Sequence, residues 1–193
     1  MIPGLNPNAI NDQNVNWKEI ATDVPFLNYS TVDWPTIDVY NHKHHQMTAI
    51  MASHMGRQEN LPKDQVDALW CAGMFHDVKR TKPFGMDDPH HGKGAAEYIE
   101  TFLKGSEYWS QESMIEKCCW LIANHSSTDP EHTSDKAMQC LQDADKFEVV
   151  RISIGTSEGA RLIKTVCHPD NLATDFAREI TSLRHWMRFR GWD

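Results

Sequence analysis

The stretch Val66-Asp-Ala-Leu-Trp-Cys-Ala-Gly-Met-Phe-His-Asp-Val-Lys-Arg80 decides how this chain is read. Val66, Leu69, Trp70, Gly73 and Met74 recur at the spacing of one helical face, which marks that face as buried. One further step along the stripe reaches Asp77, with His76 beside it. A carboxylate at the inner end of an apolar face is unfavourable unless something pairs with it. A divalent cation reverses that penalty, and adjacent His and Asp offer a nitrogen and an oxygen ligand together. A helix that simply breaks into solvent after Phe75 would account for the pair equally well, so the remaining chain has to decide.

On the N-terminal side, residues 41–57 predict a helix. Met47, Ile50, Met51 and His54 form a wide stripe, and His45, Ala49, Ala52 and Gly56 form a stripe of small residues beside it. The small stripe permits close approach of a neighbouring helix and directs His45 toward a shared interior. His42, His44 and His54 read instead as helix-start and flank positions, in solvent or in packing. On the C-terminal side, the central helix starts after Pro62, a good first-turn residue, and runs to about 77. Lys82 to Pro89 read as a loop, and a helix resumes near 90 with His90 and His91 at its start. The helix dipole disfavours the charged imidazole there, which suits a neutral ligand, although a surface cap explains it as well.

Residues 111–126 predict another helix, with Ile115, Cys118, Ile122 and His125 on one face. From about 134 to 152, Met138, Leu141, Asp145, Val149 and Ile152 share a face, while Asp143 lies on a neighbouring one with Phe147 and Val150. Either acid is a candidate for the inward one. Helices over 155–166 and 170–190 close the chain. Arg184, Arg188 and Arg190 stand among Trp186, Met187 and Phe189, read as snorkelling arginines of a closing helix or as a homo-oligomer contact. Residues 1–38, rich in Asn, Asp, Pro and Thr, read as an extension packed on the domain, with one short helix near 16–21.

No segment alternates as a strand, so the 193 residues predict a single all-α domain over 39–193. A net charge of −8 argues against a sequence-independent grip on nucleic acid, which needs clustered Lys and Arg. It leaves phosphate substrates open, because a bound metal supplies positive charge locally. The five cysteines are odd in number and form no CxxC pair, so they read as reduced, mostly buried thiols of a cytoplasmic protein. There is no apolar run of membrane-spanning length and no basic-then-apolar leader.

Four helices thus each bring a His or Asp to the inner end of an apolar face. Mixed imidazole and carboxylate sets suit Mn, Fe, Co, Ni or Zn better than Ca or Mg. The order His45, His76-Asp77, Asp145 resembles the HD superfamily of metal-dependent phosphohydrolases, an all-α helical bundle named for its adjacent His-Asp. Trp70-Cys-Ala-Gly-Met-Phe-His-Asp-Val is similar to that family's apolar run into His-Asp. His91-Gly-Lys-Gly-Ala-Ala resembles its H-x-x-G-A helix start, Ile122-Ala-Asn-His-Ser-Ser the segment bearing a further ligand, and Leu141-Gln-Asp-Ala-Asp-Lys-Phe-Glu its DAD run. The spacing from Tyr40 selects His45 over its neighbours, and the last acid of the DAD run, Asp145, matches the metal position. The similarity covers roughly residues 40–155. Lys79 departs from it, standing where many members have a glycine, with Arg80 in the following basic place.

The resemblance implies that His45, His76, Asp77 and Asp145 hold one divalent metal, and that Asp77 bridges to a second held by His91 and His125. It implies hydrolysis of a small phosphate ester such as a nucleotide, with Lys79, Arg80 or Lys146 neutralising the phosphate and His90 or His44 as candidates to protonate the leaving oxygen. Some HD-fold proteins with a similar six-ligand set hold two irons and cleave C–C or C–P bonds with dioxygen, which is the alternative activity. A metal-binding regulatory module without catalysis is the third.

Overall fold

The computed structural model describes residues 42–80, 88–105, 109, 111–152 and 167–179. The N-terminal extension, most of the 82–89 loop, the helix expected over 155–166 and the arginine-bearing end lie outside these residues. Seven helices are described: α1 (His42–Gln58), α2 (Lys63–Phe75), α3 (His91–Lys104), α4 (Glu112–Asn124), α5 (Pro130–Thr133), α6 (Lys136–Ile152) and α7 (Asp175–Glu179). Among the described residues there is no strand, and the fold is all-α. No described helix is long and apolar enough to cross a membrane.

The central helix α2 contacts α1, α3, α4 and α6. It is buried on every side from Val66 to Phe75 rather than on the one face that its strongest stripe predicted. Ala68, Cys71, Ala72 and Phe75 fill the faces between the stripe residues. Asp67, also buried, is tolerated there because Lys63 Nζ reaches it at 2.7 Å one turn earlier. Two glycines set how closely the helices approach. A Cβ on Gly73 would stand 2.5 Å from Ala49 Cα, so α1 and α2 meet backbone to backbone. A Cβ on Gly92 would stand 2.9 Å from Ile122 O, so the start of α3 sits on the last turn of α4. The first contact brings the start of α1 beside the end of α2, and the second brings His91 beside His125.

α1 closes with Asn60 in the left-handed region (φ 58°) and the Leu61 amide on Gly56 O, a stop of the kind Gly or Asn favours. Glu59 then ties three helices. Its carboxylate accepts from the Phe176 amide at the start of α7 and from Lys136 Nζ at the start of α6. α5 is a single turn started by Pro130 and capped by Asp129, whose carboxylate accepts the Glu131 amide. The helix expected from 170 is instead a 3₁₀ turn (Pro169–Asn171), an irregular link and then α7. Its cause is Asp143, whose Oδ2 accepts the Ala173 and Thr174 amides and the Thr174 hydroxyl, all within 3.0 Å. Those amides are therefore committed to α6 and cannot serve a continuous helix.

The cysteines 71, 118, 119, 140 and 167 are free thiols, and all but the half-buried Cys119 are buried. Burial pushes the thiols of Cys119, Cys140 and Cys167 up to about 12, so they are inert side chains of the core.

His54 is 4 % exposed, with its ring edge-on to Phe176 of α7 at 4.8 Å. Burial, helped by Arg57, lowers it from its usual value of 6.5 to about 4. The folded protein therefore keeps His54 neutral where the unfolded chain would take up a proton. Its stabilising effect is complete above pH 6.5 and is lost as pH falls toward 4. Between pH 7 and pH 5 this one group accounts for roughly 2 kcal/mol of lost stability. In urea denaturation, His54→Gln is expected to lose less stability than wild type over that interval. Parallel losses would show that His54 does not titrate this way.

Candidate metal centre

The donors arrive from five places in the bundle: His44 in the first turn of α1, His76 and Asp77 just past α2, His91 at the start of α3, His125 just past α4, and Asp145 within α6. Asp77 is at their centre, 2 % exposed. Its Oδ2 lies 3.6 Å from His76 Nε2 and 3.9 Å from His44 Nε2. Asp145 Oδ1 joins that group, 3.4 Å from His44 Nε2 and 3.5 Å from His76 Nε2. The other oxygen of Asp77, Oδ1, lies 3.1 Å from His91 Nε2 and 3.4 Å from His125 Nε2. One carboxylate thus divides its two oxygens between two histidine sets.

The ring orientations are fixed from behind. His76 Nδ1 donates to Gly73 O at 2.9 Å, His125 Nδ1 to Ile122 O at 2.8 Å, and His91 Nδ1 to Asp88 O. Each acceptor is the carbonyl three residues earlier, so the end of a helix or turn aims each ring. With Nδ1 carrying the proton, Nε2 keeps its lone pair, the arrangement metal-binding histidines use.

A divalent metal fits this donor set on three observations. His91 Nε2 and His125 Nε2 face one another at 3.0 Å, and their two lone pairs repel unless a proton or a cation stands between them. The matching pair, His44 Nε2 and His76 Nε2, is 3.2 Å apart. Nitrogens bound about 2.0–2.1 Å from one metal are themselves separated by ~3.0–3.4 Å, depending on octahedral or tetrahedral geometry. Asp145 Oδ1 is buried without a hydrogen bond, although 30 % of its side chain reaches solvent. The electrostatics agree. Burial opposes the charged forms, yet it is outweighed. His76, His125 and His91 hold the Asp77 carboxyl well below the usual carboxylate range, and the Asp77 and Asp145 carboxylates lift His76 to about 9. Positive charge is wanted at this centre.

His45, expected among the donors, is not part of the cluster. It is fully buried, and its Nδ1 donates to Met74 O at 2.8 Å. Burial and the neighbouring His76 and His44 lower its pKa well below 6.5, so it stays neutral. The small-residue stripe explains the difference. Ala49 seats on the backbone of α2 at Gly73, so the next ring along that stripe, His45, meets the α2 backbone. The stripe of His44, Thr48, Met51 and Met55, equally buried, passes beside α2, and its first ring reaches His76 and Asp145. Spacing within α1 held that signal, since these four recur at i, i+4, i+7 and i+11.

Asp145 joins the cluster while Asp143, entirely buried, clamps the 173–174 link and accepts from Lys146 Nζ at 3.1 Å. Among the expected phosphate-binding cations, Arg80 is in place: its Nη1 lies 3.5 Å from both Asp77 Oδ1 and His91 Nε2. Lys79 is not. Its ammonium sits over the Tyr98 ring at 3.7 Å, a cation–π contact outside the cluster. Lys146 borders the site but is also held by Asn171 O at 2.7 Å.

Two clefts of about 450 Å³ each open beside the cluster. Arg80, His91 and Asn124 line one, and His125, Gln142, Asp145 and Lys146 line the other. Ser126 and Ser127 border both. Sequence reasoning missed Ser126, whose Oγ is 3.4 Å from His91 Nε2, because a serine in a turn carries no pattern of its own.

Residues 42–150 match the family model of the HD domain, more than half of the chain, and the protein belongs to that family. The HD superfamily is one of metal-dependent phosphohydrolases. No curated protein and no solved structure matches the chain.

The two histidine neighbours give a direct test. His44→Gln is expected to lower bound metal at least ~10-fold, whereas His45→Gln leaves metal content near wild type and lowers stability by about 1–3 kcal/mol through the stranded Met74 carbonyl. Metal analysis with urea denaturation separates the two, and the opposite pattern would restore His45 as the donor. On α6, Asp145→Asn should remove more metal than Asp143→Asn, which should instead raise protease sensitivity over 167–179. Equal metal loss would show that the two acids act as one unit.

Proposed function

We propose that this protein is a metal-dependent phosphohydrolase acting on a small phosphate ester, with a nucleotide among the first candidates. The observation that carries the proposal is the division of Asp77 between two nitrogen-rich donor sets, His44, His76 and Asp145 on one side and His91 and His125 on the other. Such a set suits one or two ions of Mn, Fe, Co, Ni or Zn. Divalent metals held there supply Lewis acidity toward a phosphoryl oxygen and lower the pKa of water into the neutral range.

The chain's own residues supply the rest. Arg80, fixed beside Asp77 and His91, presents a permanent positive charge and several N–H donors where an anionic ester would sit. The Ser126 and Ser127 hydroxyls border the same cleft and offer hydrogen bonds to phosphoryl oxygens. Lys146 adds a second cation at the Asp145 side of the clefts, and positive charge is what the phosphoryl oxygens need in such a transfer. The backbone carbonyls behind His76, His91 and His125 keep those rings from turning as charge develops.

The same four histidines and two carboxylates suit a pair of irons, and an oxygenase cleaving a C–C or C–P bond is the second reading. Arg80 in the cleft favours an anionic phosphate. The test is phosphate release from a panel of nucleotides and simple phosphate esters, with protein stripped and reloaded with each metal in turn. Metal-dependent release is the expected result. Silence with every metal, accompanied by oxygen uptake in the iron-loaded protein, would replace the hydrolase by the oxygenase. Silence in both would leave a metal-binding module without catalysis.

A further inference from the structure

Cleavage of an ester leaves an oxygen that needs a proton, and the groups nearest the cluster are poorly suited to give one. The histidines of the cluster point their Nε2 atoms inward at the carboxylates. His90 is exposed at the cap of α3 and lines neither cleft. Lys146 is engaged by Asp143 and Asn171 O. The turn after α4 holds a different pair. Ser127 Oγ lies 2.9 Å from His132 Nδ1, across the turn into α5.

Several contacts hold this pair in place. Gln142 Nε2, from α6, donates to both His125 O at 3.0 Å and Ser127 O at 2.8 Å. One amide thereby fixes Ser127 relative to a histidine of the cluster two residues earlier. The Asp129 amide donates to Ser127 Oγ at 3.1 Å, which leaves the hydroxyl proton free to point elsewhere. The His132 ring stands edge-on to Trp120 at 5.7 Å, and Trp120 is itself covered by Lys117, which is paired with Asp135. Ser127 borders both clefts at the cluster, and His132, half-buried, keeps contact with solvent.

We propose that Ser127 and His132 deliver the proton to the leaving group, Ser127 as the residue touching the ester and His132 as the proton source behind it. The proposal rests on the phosphohydrolase reading. As the P–O bond to the leaving group breaks, its electron pair takes the proton of Ser127 Oγ. Ser127 is reprotonated from His132 Nδ1, which leaves the imidazole neutral. Water contributes its OH to phosphorus, and its remaining proton returns through solvent to His132, so the sum is ester plus water giving alcohol plus phosphate.

The test compares a poor and a good leaving group, an alkyl phosphate and p-nitrophenyl phosphate, with the manganese-loaded protein. In Ser127→Ala and in His132→Gln, kcat/KM on the alkyl ester should fall ~10²-fold or more, the usual contribution of such a proton transfer. The loss on the p-nitrophenyl ester, whose leaving group needs little help, should be at least ~10-fold smaller. Ser127→Thr, which keeps the hydroxyl, should recover most of the alkyl-ester rate. Metal content and helical circular dichroism identify any variant that has lost the site or the fold, and His132→Asn provides a second substitution on the surface turn α5. Equal losses on both esters, or none on either, would overturn the proposal. Release of phosphate by the wild-type protein from neither ester nor any nucleotide of the panel under any metal would overturn the hydrolase reading, and this proposal with it.

Discussion

Asp77→Asn is expected to abolish turnover and to strip the protein of most of its metal while leaving the helices intact. The substitution retains size and one oxygen, so packing around the 2 %-exposed side chain changes little. It removes the negative charge shared by both donor sets and turns an amide nitrogen toward either His76 or the His91–His125 pair. Affinity should fall by more than ~10²-fold, since even residues one step removed from a metal are worth ~10–100-fold. Metal analysis after dialysis and circular dichroism are the two measurements required. Retained metal with full activity would refute Asp77 as the bridging carboxylate. Loss of both metal and helix would mean that the charge is needed for folding itself.

The second large effect concerns a residue with no side chain. Gly73→Ala should destabilise the protein by about 3 kcal/mol, the upper end for added bulk, because the clash is with backbone that cannot rotate away. The new methyl would stand 2.5 Å from Ala49 Cα and 2.6 Å from Ala49 N. α1 and α2 would have to separate, and the 3.2 Å contact of His44 with His76 would open with them. Metal affinity should therefore fall together with the urea midpoint. Gly94→Ala is the control: its methyl meets only Lys79 Cβ at 3.8 Å, and alanine gains up to about 1 kcal/mol over glycine within a helix. If Gly73→Ala were as benign as Gly94→Ala, the backbone contact between α1 and α2 would not limit their approach.

Much of this architecture can be read from periodicity, because each helix has one face whose chemistry is set by burial. Val66, Leu69, Trp70 and Met74 point to α2, and the ends of two such stripes point to Asp77 and His125; periodicity in α6 leaves Asp143 and Asp145 open, and the structure gathers Asp145 with Asp77, His76, His91 and His125. What periodicity does not report is how two adjacent stripes are shared between two neighbours. His44 and His45 both lie on buried stripes, and only the contact of Ala49 with Gly73 directs one ring at the α2 backbone and the other at Asp145. Lys79 and Arg80 present the same difficulty in a turn, where a single residue decides whether a cation faces Tyr98 or Asp77. The break before α7 was invisible for another reason. It is imposed by Asp143, 30 residues away in sequence, which withdraws two amides from the helix ladder.

The donors also differ in when they become available. During synthesis from the N-terminus, Asp77, His91 and His125 exist well before Asp145, and the Gly92 contact that pairs His91 with His125 joins two helices adjacent in sequence. That half of the centre depends on local contacts, which form early and quickly. The half around His44 needs α6 to fold back across α1 and α2, a long-range closure over some hundred residues that carries the larger entropic cost. Nascent chains would then pass through a stage with one half of the centre assembled and the other still open. A metal captured at that stage would meet Asp77, His91 and His125 without the His44 and Asp145 side of the centre.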